Sequence, residues 1–316
     1  MSSQDREDGP DSPDRDRRAT IDVPLARRLI ATQFPHWADR EVTPVERSGV
    51  DNATYRLGDD LLMRLPRFAR WVGQVEREQT WLPRLAPHLP LPIPVPEAEG
   101  VPGEGYPFPW SVYRWLPGRA ADPARIPDLV AAARTLAGFF RALQAVDPAG
   151  GPPPEWSNGF RGAALADERD SPAVESRIRD RIAALEGLTD TDALTAVYET
   201  ARAAPAWERP PVWIHGDPAP GNLLTEGGKI SAVIDFGTLA VGDPACDLIV
   251  AWTLLDAPGR AAFRAELEID DATWARGRAW GLTGTLPSPE DYTHPERGPA
   301  ERHRLEAVVA DHRASA

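Results

Sequence analysis

The chain has 316 residues, 42% of them hydrophobic, which is enough apolar material for the core of one large domain or two modest ones. Its formal net charge of −13 argues against nucleic-acid binding, which requires a basic surface, and is compatible with a cationic small-molecule partner. The single cysteine, Cys246, excludes an intrachain disulfide framework and a multi-cysteine zinc site, so we expect a reducing, cytoplasmic compartment.

Residues 1–20 are polar and contain no apolar segment typical of an export signal. We therefore expect a disordered leader. No apolar stretch elsewhere is long enough for a membrane span, so neither export nor a membrane partner is predicted.

Hydrophobic spacing in the first part of the chain predicts a helix, a strand, a hairpin and a second helix. The hairpin, Asn52–Pro66, contains two strand-like segments separated by the turn Gly58-Asp59-Asp60. The flanking elements are a helix over 21–34, a strand over 41–47 and a helix over 72–86. Proline excludes helix from residues 89–110, because it removes backbone donors, so we expect an extended connection into a strand that ends near residue 116.

The break at Pro117-Gly118 predicts a domain boundary. Beyond it the pattern predicts helices over 127–146, 172–188 and 190–204, β structure over 212–236, and further helices to the end. Strands followed by helices indicate an α+β protein, with a small sheet-rich lobe over 21–117 and a larger, mostly helical lobe over 118–316.

The most informative segment is Pro211–Leu248, with the sequence PVWIHGDPAPGNLLTEGGKISAVIDFGTLAVGDPACDL. Proline and glycine keep loop 215–222 out of helix and strand, so Asp217 and Asn222 are expected on irregular backbone. A short hairpin then returns the chain and carries Asp235. Two carboxylates and one amide oxygen suit Mg²⁺, which prefers oxygen ligands.

The motifs HGDPAPGN, IDFG and GDPACDL, in this order, resemble the catalytic loop, metal-binding segment and supporting motif of aminoglycoside phosphotransferases. The resemblance extends over most of the chain and implies a bilobal protein-kinase-like fold. It also implies a small-molecule kinase that moves the γ-phosphoryl group of ATP or GTP to a hydroxyl of its acceptor.

By this resemblance, Asp217 would position and deprotonate the acceptor hydroxyl. Asn222 and Asp235 would bind Mg²⁺, with Asp235 bridging the ion to the nucleotide phosphates. His215 and Asp247 would be structural, Asp247 by steadying the backbone of the catalytic loop. Asp243, in the same motif as Asp247, is equally well interpreted as the cap of a turn.

The lysine with which kinases hold the nucleotide phosphates is missing, because the only lysine, Lys229, lies in the predicted hairpin turn. The resemblance assigns that position to Arg64 and its partner position to Glu78 in the helix motif VEREQ. Arginine grips phosphate with a planar fork and does not replace lysine without changing the geometry. Arg67 is a competing candidate, and an exposed strand charge is the alternative for Arg64.

No G-x-G-x-x-G motif occurs in the loop 48–53, where the family has a degenerate phosphate-covering loop. Gly49 and Asn52 are the candidates there, with backbone amides as the binding groups. The strand that ends at Pro117 matches the family's interlobe hinge, which implies that the main chain of Arg114–Leu116, including Trp115, contacts the purine.

Fold and loop do not encode the acceptor, so an aminoglycoside, a macrolide, choline, homoserine or a sugar stays open. The acidic residues of segment 266–271 fit either an amino sugar or a solvated helix face. A protein kinase is disfavoured because no APE-like motif follows Gly237, and a metallohydrolase because no second histidine lies near His215. A nucleotide-binding pseudokinase is kept open by the arginine at the lysine position.

Overall fold

The computed structural model describes residues 19–45, 51–164, 172–283 and 286–315. Within these ranges helices are combined with small antiparallel sheets, which confirms the α+β class. Nearly all of the expected leader lies outside the described residues. None of the helices in these ranges is long and apolar enough to cross a membrane. The chain divides into two compact units, which are described separately.

The first unit takes its described residues from Met1–Pro87, Pro92–Pro117 and Asp235–Gly237. Its elements are α1 (Val23–Gln33), β1 (Val42–Pro44), β2 (Asn52–Leu57), β3 (Leu61–Pro66), α2 (Val72–Leu85), β4 (Pro96–Gly100) and β5 (Trp110–Arg114). These strands form an antiparallel sheet in the order β1-β2-β3-β5-β4.

The β2–β3 hairpin forms over the residues that the sequence predicts, because apolar side chains alternate along both strands. Met63 and Leu65 on β3 are fully buried, and the residue between them, Arg64, points to the opposite face of the sheet. Arg64 is paired with Thr54 on β2 and with Ser111 on β5. Two flanking strands therefore fix the position of Arg64.

The proline-rich connection contains a strand, β4, where the sequence predicts only extended chain. β4 lies at the edge of the sheet and pairs with β5. Proline is tolerated at the start of an edge strand, because no neighbouring strand has to accept a hydrogen bond from the N–H that proline lacks. A Cβ at Gly100 would lie 2.0 Å from the ring of Trp110, so glycine is required where the two strands pair. β5 ends at Arg114, two residues before the predicted end.

The second unit takes its described residues from His88–Leu91, Gly118–Ile234 and Thr238–Ala316. Its strands are β6 (Arg119–Ala120), β7 (Val212–Ile214), β8 (Leu223–Glu226), β9 (Lys229–Val233) and β10 (Ala240–Gly242). Its helices are α3 (Leu129–Gln144), α4 (Pro172–Ala183), α5 (Thr191–Ala203), α6 (Val250–Thr253), α7 (Ala257–Glu266), α8 (Asp271–Thr283), α9 (Pro289–Thr293) and α10 (Gly298–Ser315).

Helix α3 begins after Asp128, whose carboxylate accepts the Ala131 N–H at 2.8 Å and so caps the helix. Its apolar stripe, including Leu136, Phe140 and Leu143, is fully buried, as the spacing of these residues predicts. The helix therefore forms part of the core of the second unit.

Two small sheets of this unit frame the informative segment. β8 and β9 form the predicted hairpin, whose turn residues Gly227 and Gly228 have φ of +56° and +78°. β6 adds to β8, and β10 pairs with β7. The sequence does not predict β6 and β10, because strands of two or three residues are too short to show an alternating pattern. The assignment of 21–117 and 118–316 as functional lobes stays a prediction.

Candidate active site

A loop between β7 and β8 carries three of the predicted site residues, His215, Asp217 and Asn222. β7 ends at Ile214, and the loop ends in a short 3-10 turn over Pro220–Asn222. Gly216 has φ of +89°, and a Cβ there would lie 2.7 Å from the carbonyl oxygen of Thr238. Only glycine accepts both this backbone conformation and this close approach. Gly216 therefore specifies the path of the loop.

Asp217 and Asn222 are joined within this loop. The Nδ2 of Asn222 donates to the backbone carbonyl of Asp217 at 2.8 Å, and the backbone N–H of Asn222 donates to the carbonyl of Ala219, also at 2.8 Å. Because Nδ2 is held there, Oδ1 is the atom of the Asn222 side chain that can accept a hydrogen bond or bind a cation. The half-buried Asp217 lies five residues before it.

His215 is fully buried between two stretches of backbone. Its Nδ1 accepts the N–H of Asp217 at 3.1 Å, and its Nε2 lies 3.0 Å from the carbonyl oxygen of Ile234. A backbone N–H can only donate, so Nδ1 is the acceptor and Nε2 carries the hydrogen that the carbonyl of Ile234 accepts. His215 thus fixes the backbone on both sides of its ring.

Asp247 holds the start of the same loop. Its Oδ2 accepts the N–H of His215 at 2.9 Å, and its Oδ1 accepts the N–H of Gly216 at 2.7 Å. Burial raises the pKa of the Asp247 carboxyl to about 7, although these two backbone N–H groups act in the opposite direction. The carboxyl therefore exchanges its proton in the neutral range while bound to the loop backbone.

The sequence indicates a turn cap for Asp243 and gives no sign of its partner on α8. The Asp243 Oδ1 accepts the N–H of Ala245 at 2.9 Å, so the residue caps the 3-10 helix Pro244–Ile249. Its Oδ2 accepts a hydrogen bond from the Nε of Arg276, on α8, at 2.7 Å. The pairing joins residues 33 positions apart, a separation at which no local pattern signals a contact.

In the first unit, Arg64 contacts two carboxylates at once. Its Nη1 lies 2.9 Å from Oε1 of Glu78, and its Nη2 lies 2.7 Å from Oδ1 of Asp235. Glu78 is buried on α2 and also accepts a hydrogen bond from the hydroxyl of Tyr113. Burial alone would lower the pKa of Arg64, but the Glu78 and Asp235 carboxylates raise it above its ordinary value. The guanidinium is therefore a fixed cation.

Asp235 has an unusual backbone conformation. Its φ is +66°, in the left-handed region that non-glycine residues seldom adopt, although aspartate is enriched there. Its side chain is 46% exposed. Two residues on, a Cβ at Gly237 would lie 2.7 Å from the side chain of Gln74, and the Gly237 carbonyl accepts from Arg77 at 2.6 Å. The tightly packed segment after Asp235 holds this residue in place.

The predicted phosphate-covering loop is described only in part, because Gly49 lies outside the described residues. Asn52 is buried at the start of β2, and its backbone carbonyl accepts from the Nε of Arg67 at 3.2 Å. Beside it, burial first and then the nearby Asp235 carboxylate raise the pKa of Asp51. Arg67, the competing candidate for the phosphate-binding cation, is therefore hydrogen-bonded to the backbone of this loop. Arg64 instead contacts the carboxylates of Glu78 and Asp235.

The predicted hinge, Arg114–Leu116, follows β5. The guanidinium of Arg114 forms an ion pair with Glu97 at 2.7 Å, and its side chain is 68% exposed. The N–H of Trp115 donates to the carbonyl of Asp60 at 2.8 Å, and the guanidinium of Arg56 lies 4.0 Å from the centre of the Trp115 ring. The Trp115 N–H therefore already donates a hydrogen bond within its own unit. This leaves the other backbone groups of Arg114–Leu116 as the ones that can contact a purine.

The predicted metal residues offer oxygen donors, the Oδ1 of Asn222 and the carboxylate of Asp235. Such hard donors fit Mg²⁺, which completes its coordination shell with phosphate oxygens and water. Within the described ranges, no group of three or more His, Cys, Asp or Glu side chains could hold a metal ion by itself.

Comparisons with known proteins agree with these motifs. The profile of the phosphotransferase enzyme family, APH, matches residues 41–280. A GDP complex of aminoglycoside 2'-phosphotransferase-IIIa is 21% identical to this chain, with 94% of this chain and 100% of that one covered at a TM-score of 0.66. The apoenzyme of macrolide 2'-phosphotransferase MphH from Brachybacterium faecium is 22% identical, with 90% and 97% covered at a TM-score of 0.56. A streptomycin-ATP-APH(2")-IIa ternary complex is 17% identical, with 92% and 97% covered at a TM-score of 0.55. No curated protein sequence matches the chain.

The chain therefore belongs to the phosphotransferase enzyme family, as its motifs predicted. It is a small-molecule O-phosphotransferase with the protein-kinase-like fold of the solved structures that it resembles. The predicted fold class is thereby confirmed.

Proposed function

We propose that this enzyme transfers the γ-phosphoryl group of ATP or GTP, with Mg²⁺, to a hydroxyl of a small cationic acceptor such as an aminoglycoside. The observation that carries the proposal is the loop in which Asn222 is hydrogen-bonded to Asp217 on a backbone held by Asp247. A carboxylate and an amide oxygen on one rigid loop suit the two tasks of orienting a hydroxyl and holding a metal–phosphate complex.

In the proposed reaction, the Asp217 carboxylate accepts the hydrogen bond of the acceptor hydroxyl, orients it toward the γ-phosphorus and takes its proton. Asn222 and Asp235 would hold Mg²⁺, which when bound neutralises charge on the phosphate oxygens. Arg64 would bind the α- and β-phosphates through the guanidinium N–H donors that Glu78 and Asp235 do not use. Positioning and charge stabilisation thus account for most of the rate.

The proposed nucleotide site also includes the phosphate-covering loop with Gly49 and Asn52, and the main chain of Arg114–Leu116 for the purine. The Trp115 N–H is bonded to Asp60, so the purine contact is assigned to the remaining backbone groups of that segment. Structures of similar proteins that hold GDP or ATP support a nucleotide co-substrate.

An antibiotic acceptor is supported by similar structures, one of a macrolide 2'-phosphotransferase and one described with streptomycin. The acidic residues of segment 266–271 are weaker support, because Glu266, Asp270 and Asp271 already pair with arginines. Resistance to such an antibiotic would follow from phosphorylation in the cytoplasm, a compartment that suits the buried Cys246 thiol.

A metabolite kinase acting on choline, homoserine or a sugar is the main alternative, because the same centre would serve any hydroxyl. A nucleotide-binding pseudokinase is favoured only by Arg64 at the usual lysine position.

A panel assay tests the proposal. The purified chain is incubated with ATP or GTP and with kanamycin, streptomycin, erythromycin, choline, homoserine or glucose, with Mg²⁺ or with EDTA. We expect one acceptor class to gain a phosphoryl group by mass spectrometry, only when Mg²⁺ is present. Metal-independent transfer would remove the metal assignment. Tight nucleotide binding without any transfer would favour the pseudokinase.

A further inference from the structure

Arg276, in the middle of α8, is buried to an extent that is unusual for arginine. Its side chain is 2% exposed, and its Nε and Nη2 donate to the two carboxylate oxygens of Asp243 at 2.7 and 3.4 Å. A buried guanidinium is costly unless its donors are satisfied, so this pair is a specified feature of the fold.

The terminal nitrogens of Arg276 make two further contacts, one within α8 and one with another segment of the same unit. Its Nη2 donates to the hydroxyl of Thr273 at 3.1 Å, and its Nη1 donates to the backbone carbonyl of Pro205, just after α5. One side chain therefore connects α8, the chain after α5 and the turn at Asp243.

Asp243 links Arg276 to a short buried 3-10 helix. It caps the 3-10 helix Pro244–Ile249, and its own backbone N–H donates to the carbonyl of Gly162 at 2.7 Å. Every residue of that helix is buried. A densely packed element moves as a unit when one end is displaced.

The same 3-10 helix carries Asp247, which binds the backbone N–H groups of His215 and Gly216 at 2.9 and 2.7 Å. His215 in turn accepts the N–H of Asp217 at 3.1 Å. An uninterrupted series of hydrogen bonds and buried backbone thus leads from Arg276 to Asp217.

We infer that Arg276 is a positioning residue for phosphoryl transfer. Through Asp243 it fixes the 3-10 helix Pro244–Ile249. Through Asp247, which lies on that helix, it fixes the position of the loop that carries Asp217. This inference rests on the proposed role of Asp217. Displacements of about 1 Å at a reacting group can lower a rate by about 10²-fold, so a small loosening of this series should reduce kcat.

A second buried arginine on the same helix provides a matched control. Arg278 is 4% exposed at its side chain and donates to Asp311 at 2.8 Å, an aspartate on α10. Arg276→Lys and Arg278→Lys both keep the positive charge but lose the two-armed geometry of the guanidinium. The two variants should therefore lose comparable stability.

The kinetic outcomes should differ. For Arg276→Lys we expect kcat with MgATP or MgGTP and streptomycin, or with the acceptor found in the panel, to fall about 10-fold. Its nucleotide dissociation constant should stay within about 2-fold of the unchanged protein. For Arg278→Lys both quantities should stay within about 2-fold, measured well below the melting temperature of each variant.

A spectroscopic readout tests the inference without turnover. The chain has six histidines, and ¹⁵N-histidine labelling reports the ring nitrogens of His215, assigned by comparison with His215→Gln. These resonances should shift in Arg276→Lys and stay unchanged in Arg278→Lys. Thr273→Val removes only one hydrogen bond of Arg276 and should shift them in the same direction, so it replaces Arg276→Lys if that variant does not fold.

Unchanged kcat and unchanged His215 resonances in a folded Arg276→Lys would overturn the inference. An equal fall of kcat in Arg278→Lys would do the same, because it would reduce the effect to general stability. If the unchanged protein phosphorylates no acceptor, the proposed function fails. The His215 resonances then still decide whether Arg276 positions the loop that carries Asp217.

Discussion

Arg64 lies where the sequence predicts the position of the kinase lysine. Arginine keeps the positive charge of lysine there but makes different contacts. Lysine presents a single ammonium, whereas the two terminal nitrogens of Arg64 contact Glu78 and Asp235 separately, at 2.9 and 2.7 Å. Arg64 thus binds the predicted metal carboxylate as well as its partner on α2. Lys229, the only lysine of the chain, begins β9 and is exposed.

We predict that Arg64→Ala lowers kcat/KM for the nucleotide by roughly 10- to 10²-fold, the effect of losing one or two charge-assisted hydrogen bonds. Lys229→Ala should change it by less than about 2-fold. Arg64→Lys should fall between the two, because one ammonium can still pair with Glu78. Steady-state kinetics with confirmed folding checks this. A severe loss in Lys229→Ala would mean that the phosphate-binding cation is misassigned.

Asp247 gives a prediction about pH. Its pKa is raised to about 7 in the folded chain, against 3.8 as its ordinary value. Between these values the native state keeps a proton that the unfolded state has lost, so this residue's contribution to stability is complete below about pH 4 and is lost as pH rises to about 7. Asp247→Asn cannot titrate, and it gives up one of the two backbone hydrogen bonds.

Urea unfolding at pH 5 and pH 8 tests this prediction. The stability advantage of the unchanged protein over Asp247→Asn should be larger at pH 5 than at pH 8. An advantage that grows with pH would mean that the backbone N–H groups dominate over burial and that the carboxyl pKa is lowered.

At the scale of elements, the β2–β3 hairpin and the loop that carries Asp217 could be predicted, because alternation, proline and glycine are local signals. For the edge strand β4 the sequence predicts only extended chain, since proline obscures strand character. The pair of Arg276 with Asp243 could not be predicted, because it depends on how α8 packs on a distant turn. The contact of Arg64 with Asp235 could not be predicted either, because it joins residues 171 positions apart.

The loop that carries Asp217 contains two glycines that differ in their surroundings, which allows a controlled test. Gly216 has φ of +89° and no room for a Cβ, whereas a Cβ at Gly221 would meet nothing within 4 Å. Gly216→Ala should lower the free energy of unfolding by at least about 1–3 kcal/mol and reduce turnover. Gly221→Ala should stay within about 0.5 kcal/mol. Equal effects in chemical denaturation would mean that the loop backbone is not specified at Gly216.

At the scale of the molecule, arginine supplies every fixed side-chain cation except Lys229 in a chain of net charge −13. Several of these arginines pair with carboxylates in buried or half-buried positions, as Arg64 does with Glu78, Arg276 with Asp243 and Arg278 with Asp311. Removing one partner of such a pair leaves an uncompensated buried charge. Conservative variants therefore test function in this protein more reliably than alanine variants do.

The central claim, that Asp217 orients and deprotonates the acceptor hydroxyl in a Mg-nucleotide phosphotransferase, is tested most directly by Asp217→Asn. The amide is nearly isosteric, so the melting temperature and the dissociation constant of the Mg-nucleotide, measured by calorimetry, should change little. The kcat for the acceptor found in the panel should fall by roughly 10²-fold or more, the effect of a positioned general base. A folded variant with undiminished turnover would contradict the account.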